Sequence, residues 1–495
     1  MTAGESPGAS RTIGTTLSSA PSEANANLAT PELNGPAMTS HVLSILAGIA
    51  LMVSFSESML IPALPTIQNE FNTTASAVSW VPAIYLLVGA ISVPVFGKLG
   101  DIYGKKRILV FVMTAYTIAV VLDGFAWSLE SLLAFRAIQG LGLAMFPLAF
   151  SLIHDEMTPE RVPVATGVVS AMNGVGAAVG LIGGAYITQT FSWQTNYHFL
   201  APVAVAVTFL LWRFGKESPQ RQLETIDYLG AGLFAVAVSS LLVAVTEGAT
   251  LGWTSAGTLA LFALAGIFSV LLVRRERRAK EPLIHLKLPH IREMLKTNFM
   301  MFVAGAGLFL GFYAVIYFLQ EQVIGFGLDV SKAALILFPG AVLMLVFAPL
   351  AGRLVKSQGP KLPTLVGLLL LLTAFLSLLA FHRHEYDFLV SAIFLFGGVG
   401  MLFTSLLNSI LILSPPERVG SQTGTNTIFQ LIGQSIGAAV AGAALTTFVD
   451  SMGLSTDEAY GVICGIGAAL AALGILVALS MPKLAIKGPL PVAAG

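Results

Sequence analysis

Charge is scarce in this sequence: Asp, Glu, Lys and Arg together make up 11% of its 495 residues, and mean hydropathy is +0.82. A soluble domain covers itself with about 25% charged residues, so a water-wetted particle of this size is excluded and lipid must take the place of the missing water. The charges that are present cancel to a net of +0, which removes any bulk attraction to nucleic acid. Cysteine is nearly absent. The single one, Cys464, lies in an apolar run, excludes an intramolecular disulfide framework and a Cys-based metal site, and reads as a buried hydrophobe. No G-x-x-x-x-G-K-[ST] run and no His-Glu-x-x-His or clustered Cys/His signature occurs. We therefore expect no cofactor, no metal and no enzymatic activity, and an energy source that is an ion or substrate gradient. The first 40 residues lack lysine and lack the basic start and apolar core of a secretory signal. Residues 1–40 read as a disordered cytoplasmic tail, and 483–495 as a second.

What the chain has in abundance is long apolar runs. A bilayer-spanning helix needs about 20 predominantly apolar residues. Fourteen runs qualify, at roughly 42–64, 78–97, 108–127, 131–153, 162–187, 198–214, 229–247, 257–273, 297–320, 333–352, 362–381, 388–413, 422–448 and 457–481. Helix is the choice in each, because in lipid every backbone group must find its partner within the segment. With the amino terminus inside, the Lys and Arg residues fall on the cytoplasmic side, including the dense run from Arg274 to Lys296. The exceptions are Lys332 and Arg383 in outer loops and Arg136 within span 4. The expectation is a multi-pass plasma-membrane protein, monomeric, with both termini cytoplasmic.

An internal repeat organises these spans. GKLGDIYGKKR at 97–107 follows span 2, and GRLVKSQGPK at 352–361 follows span 10. With Gly97 on Gly352, Lys98 meets Arg353, Gly104 meets Gly359 and Lys106 meets Lys361, while Asp101 meets Lys356. The reading is all-α: an N-terminal six-helix bundle (41–214), a two-helix insert with a basic cytoplasmic linker (215–296) and a C-terminal six-helix bundle (297–482). Repeated halves around a midplane site are a common plan of secondary transporters.

On these residues the chain resembles the major facilitator superfamily, in its fourteen-helix drug:proton antiporter branch. GKLGDIYGKKR matches that family's loop between helices 2 and 3, RAIQGLGLAMFP at 136–147 its helix-4 motif, and EGATLGW at 247–253 a segment after the first inserted helix. The resemblance implies proton-coupled transport by alternating access. It implies a cytoplasmic gate at Gly97, Asp101, Gly104, Lys105, Lys106 and Arg107, although the three basic residues also serve topology alone. It implies a proton-coupling role for Arg136. The chain departs from the family at the helix-5 motif, where Gly180 stands in place of a proline.

Ionisable residues inside spans are costly unless paired or wetted. Glu57 and Arg136 are expected at similar depths on antiparallel spans, with Asp123 as a rival partner of Arg136. Gln139, one turn after Arg136, is either a substrate contact or an interhelical hydrogen bond, and Pro147 is expected to bend span 4. Gly176, Gly180 and Gly184 form a small-residue ladder for close helix packing. Asn426, Gln430 and Gln434 share one face of span 13, and Tyr313, Tyr317 and Gln320 form a similar stripe on span 9; both are candidate cavity linings. The favoured reading is proton-coupled efflux of small amphipathic or apolar compounds, so the expected partners are such a substrate, protons and the bilayer. A nutrient symporter or uniporter, and a non-transporting membrane sensor, stand as alternatives.

Overall fold

The computed structural model describes residues 40–157, 162–217, 227–279, 290–414, 419–451 and 454–482. Apart from Ser40, which opens the first helix, both expected tails lie outside the described residues, as do Arg161, Arg221, Lys280, Lys287 and Arg418. Sixteen helices follow one another: α1 Ser40–Ser58, α2 Leu64–Glu70, α3 Ala75–Tyr103, α4 Lys105–Asp123, α5 Leu129–Gly140, α6 Met145–Glu156, α7 Val162–Thr190, α8 Trp193–Phe214, α9 Tyr228–Leu251, α10 Ala256–Glu276, α11 Ile291–Gln320, α12 Val330–Gln358, α13 Lys361–Ala380, α14 Glu385–Leu413, α15 Val419–Thr447 and α16 Asp457–Leu479. Thirteen stretches, with α5 and α6 counted as one, are long and apolar enough to cross a membrane. The fourteenth, α4, fails on charge alone: Lys105, Lys106 and Arg107 open it and Asp123 closes it. The count therefore agrees with fourteen spans in two six-helix halves and a two-helix insert.

Several boundaries differ from the sequence reading, for local reasons. GKLGDIY is helical, because α3 continues to Tyr103 and the turn contracts to Gly104 alone. Gly104 has φ 111°, a conformation that an L side chain rarely adopts. Its repeat partner Gly359, at φ 78°, makes the same break between α12 and α13. The 255-residue offset from Gly97 to Gly352 carries Ala75–Tyr103 onto Val330–Gln358 and Pro94 onto Pro349. Span 1 ends early, at Ser58, and buried turn residues lead to α2. Glu57 therefore sits one residue from the end of α1 rather than well inside a helix. Span 4 breaks at a 3-10 turn over Leu141–Ala144, ahead of Pro147. Pro147 then falls in the first turn of α6, where its missing N–H has no helical partner to lose.

Close packing within each half follows the small residues. A Cβ on Gly176, Gly180 or Gly184 of α7 would stand 2.2–2.5 Å from the carbonyl oxygens of Leu51, Phe55 and Met59, so α1 and α7 touch backbone to backbone. In the second half Gly433 and Gly437 of α15 do the same against the Phe302 and Ala306 carbonyls of α11, at 2.2 and 2.5 Å. Between the halves, α3 packs on α15 and α7 on α12. Of the insert, α9 packs against α3 and α15, while the spanning part of α10 is only 17% buried and lies at the periphery. Asp227 caps α9 by accepting from the Gly230 N–H (2.9 Å) and holds Arg275 of α10 through paired contacts of 3.0–3.2 Å. Burial alone would push its carboxyl up, but Arg275 and the Gly230 N–H outweigh it and hold the group below the usual range.

A buried arginine cluster and a closed end

Arg136 lies two turns into α5 and is completely buried. Among the described residues no carboxylate holds it. Nε donates to the Val81 carbonyl (3.3 Å), and Nη1 donates to Gln139 Oε1 (2.6 Å) and more weakly to the Ser56 carbonyl (3.5 Å). The guanidinium carbon sits 4.6 Å from the centre of the Tyr85 ring, a cation–π contact. Gln139 Nε2 then donates to Ser56 Oγ (2.8 Å), so Gln139 bridges α5 to α1.

Around this core lie polar atoms without hydrogen-bond partners among the described residues: both oxygens of Asp123 and the hydroxyls of Tyr85, Tyr116 and Tyr197. Asp123, the last residue of α4, is 0% exposed. Glu57 is half-buried and makes no ion pair with Arg136. Buried polar groups ordinarily find partners, so these atoms stand out from the rest of the core. Sequence reasoning singled out the charges but missed Ser56 and the three tyrosines. An aromatic in an apolar span carries no signal of its own until the fold turns it toward a charge.

The residues expected to form a gate make a second cluster. Lys105 Nζ donates to Asp155 Oδ2 of α6 (2.6 Å) and lies 3.7 Å from Asp101 Oδ1. The N-terminus of α4 presents the backbone N–H groups of Lys106 and Arg107 to the Glu217 carboxylate, at 3.0 and 3.2 Å. Such a carboxylate satisfies orphan donors and complements the helix dipole. Gly104 permits it, since a Cβ there would stand 2.6 Å from Glu217 Oε1. A Cβ on Gly97, by contrast, would meet nothing. The sequence reading found neither Asp155 nor Glu217, which are distant in the chain.

The amide face of α15 divides. Asn426 is buried and donates to Asn298 of α11 (2.9 Å), Gln430 is half-buried, and Gln434 is buried with Oε1 unpartnered. On α11, Tyr313 and Tyr317 are buried and stacked at 5.4 Å, and their hydroxyls have no hydrogen-bond partner among the described residues. Gln320 donates to the Pro62 carbonyl in the other half (2.9 Å).

That last bond belongs to a set joining the halves at the end opposite Gly104. The Ser76 N–H donates to Thr446 Oγ1 (2.9 Å) and the Ser331 N–H to Gln189 Oε1 (2.9 Å), while Ser435 Oγ donates to the Ala83 carbonyl (2.9 Å). Ser76 Oγ also donates to the Thr246 carbonyl of the insert (2.6 Å). Typical net values of about 1 kcal/mol per bond make this closure strong enough to hold and weak enough for a ligand to shift.

Two tightly packed helical halves, a buried charge between helices and a polar seam at one end define a multi-pass membrane transporter. The sequence pattern of the Major Facilitator Superfamily matches residues 46–229 and 223–438, and the chain belongs to that family. It is 28% identical over 416 residues to the multidrug resistance protein Stp of Mycobacterium tuberculosis (strain CDC 1551 / Oshkosh), covering 82% of this chain and 76% of that protein. It is 26% identical over 412 residues to the tetracenomycin C resistance and export protein of Streptomyces glaucescens, with the same coverage of each. In fold it resembles the human organic anion transporter MFSD10 (TM-score 0.61, 13% identity, 88% of this chain and 99% of that one). It also resembles the peptide transporter POT in complex with sulfate (TM-score 0.63, 16% identity, 88% and 94%).

Proposed function

We propose that this transporter exports small amphipathic or apolar compounds from the cytoplasm in exchange for protons, acting as a monomer in the plasma membrane. Relatives named for drug resistance and export support the direction. The observation that carries the coupling is the fully buried, unpartnered carboxyl of Asp123 near an arginine held only by neutral groups. Burial disfavours a carboxyl's charged form and a close guanidinium favours it. With Arg136 turned to Gln139 and Tyr85, the acid is free to hold a proton; an Arg136 swung toward the acid would expel it. Glu57, less buried, is the alternative carrier. Lys and Arg gather at the Gly104 end, and by the positive-inside rule this supports a cytoplasmic position for that end and for both termini. The hydrogen-bonded seam is then the outer gate. Rocking of the two bundles, 41–214 and 297–482, breaks that seam.

The test is uptake into inverted vesicles under an imposed pH gradient, screened across dyes, antibiotics and small metabolites. Asp123→Asn should abolish gradient-driven accumulation and leave downhill exchange, whereas Glu57→Gln should retain part of the accumulation. Full accumulation in Asp123→Asn with loss in Glu57→Gln would move the proton to α1. Indifference to both would separate transport from this cluster.

A further inference from the structure

A cavity of about 110 Å³ lies within the C-terminal half, between α11, α13, α14 and α16 at the end opposite Gly104. None of its lining residues belongs to α3, α7, α12 or α15, the helices that join the halves. Its wall is aromatic. Phe318 stacks on Phe388 (5.0 Å) and meets the rings of Tyr460 (5.0 Å) and His382 (5.9 Å) edge to face. Tyr460 is 5% exposed and its hydroxyl has no hydrogen-bond partner among the described residues. At the mouth, His382 Nε2 faces Asp457 Oδ1 at 3.8 Å, and the Asp457 side chain is 68% exposed. His382 Nδ1 lies 3.0 Å from the Leu378 carbonyl, an acceptor, so Nδ1 carries a proton. The rim therefore offers the exposed Asp457 carboxylate, an acceptor, above a pocket of ring faces.

We propose that this cavity is a binding site for a small aromatic amine, the ring seated against Phe318 and Phe388 and the ammonium group on Asp457, with Tyr460 as an inner hydrogen-bond partner. Apolar cavities of about 150 Å³ take up a single benzene ring, and a pocket open at one side lets the polar arm project. Edge-to-face and stacked ring contacts favour an aromatic over an alkyl chain of equal size. Because the site lies wholly inside one half, the ligand travels with that half and does not depend on which end of the transporter is open.

The protein supplies its own reporter, since its single cysteine, Cys464, lines the cavity at 3% exposure. Purified full-length protein is treated with methyl methanethiosulfonate, and modification of Cys464 is followed by intact mass, with benzylamine or hexylamine present. Benzylamine at millimolar concentration, the affinity range open to so small a ligand, should slow modification about fivefold and hexylamine less than about twofold. Asp457→Asn should remove most of the benzylamine effect. Gly461 also lines the cavity, and a Cβ there would meet nothing within 4 Å, so a side chain can start at this position and Gly461→Leu is the variant that fills the space. That variant should keep its yield and lose the protection. Equal protection by the two amines would make this an acyl-chain site and overturn the proposal. Protection surviving in Gly461→Leu, or a Cys464 that reacts only after denaturation, would overturn it too.

Discussion

The two halves share a backbone plan and differ in chemistry at matching positions. In the first half, Tyr116, Asp123, Arg136 and Gln139 build a buried polar cluster. At the 255-residue offset stand Leu371, Leu378, Ser391 and Phe394. Ser391, in the place of Arg136, is buried and settles its hydroxyl on Ser377 (2.7 Å) and the Asp387 carbonyl (2.8 Å). The small-residue seams, in contrast, are kept in both halves. The lesson is that helix packing fixes the shape of each half, since backbone contact tolerates only glycine there. Charge handling needs just one copy, and the second half is left free to become apolar and aromatic.

The comparison breaks hardest at Arg136. Arg136→Ala should abolish gradient-driven transport and cost about 1.5–3 kcal/mol of stability, the value of hydrogen bonds made by a charged group. Arg136→Lys keeps the charge but loses the planar fork, so it should retain more coupling than the alanine. Ser391→Ala should leave accumulation near wild type. Vesicle flux normalised to protein level separates these outcomes, and a Ser391→Ala defect as deep as that of Arg136→Ala would end the asymmetry.

The packing seams should respond alike in both halves. Gly180→Ala drives a Cβ to 2.5 Å from the Phe55 carbonyl, and Gly437→Ala drives one to 2.5 Å from that of Ala306. Each should lower thermal stability in detergent by an overpacking cost of about 1–3 kcal/mol. Gly97→Ala, whose Cβ meets nothing, serves as the control. At the gate, Asp101→Asn should weaken the hold on Lys105, and greater labelling of a cysteine placed at the Gly104 end, with unchanged yield, is the readout.

The smallest expected effect is a pH dependence beside that gate. Glu156 ends α6 outside the spanning stretch. Burial pushes its carboxyl up to about 6 from 4.5, with Lys216 opposing and Asp155 and Glu217 reinforcing. The folded state then binds more proton than the unfolded one between those values, so stability falls as pH rises from about 4.5 to 6. Since the group is half in solvent, the change should stay below about 1 kcal/mol. Glu156→Gln should flatten it in melting curves taken across that range.

The sequence by itself determined the class: a chain with 11% charge and fourteen apolar runs must be a helical bundle in lipid. It also determined the repeat, because Gly104 and Gly359 are glycines that positive φ demands. It marked Arg136, Asp123 and Glu57, since charge in a span stands out against hydrocarbon. Tertiary structure alone decided what those charges meet. Arg136 rests on Gln139, Val81 and Tyr85 instead of an acid; Glu217 arrives from far along the chain to cap α4; Asn426 spends its amide on Asn298. Periodicity reports which face of a helix is apolar, a property of near neighbours. Which atom lies opposite depends on how helices distant in sequence are rotated and staggered against one another, and that is set by the whole pack of side chains at once.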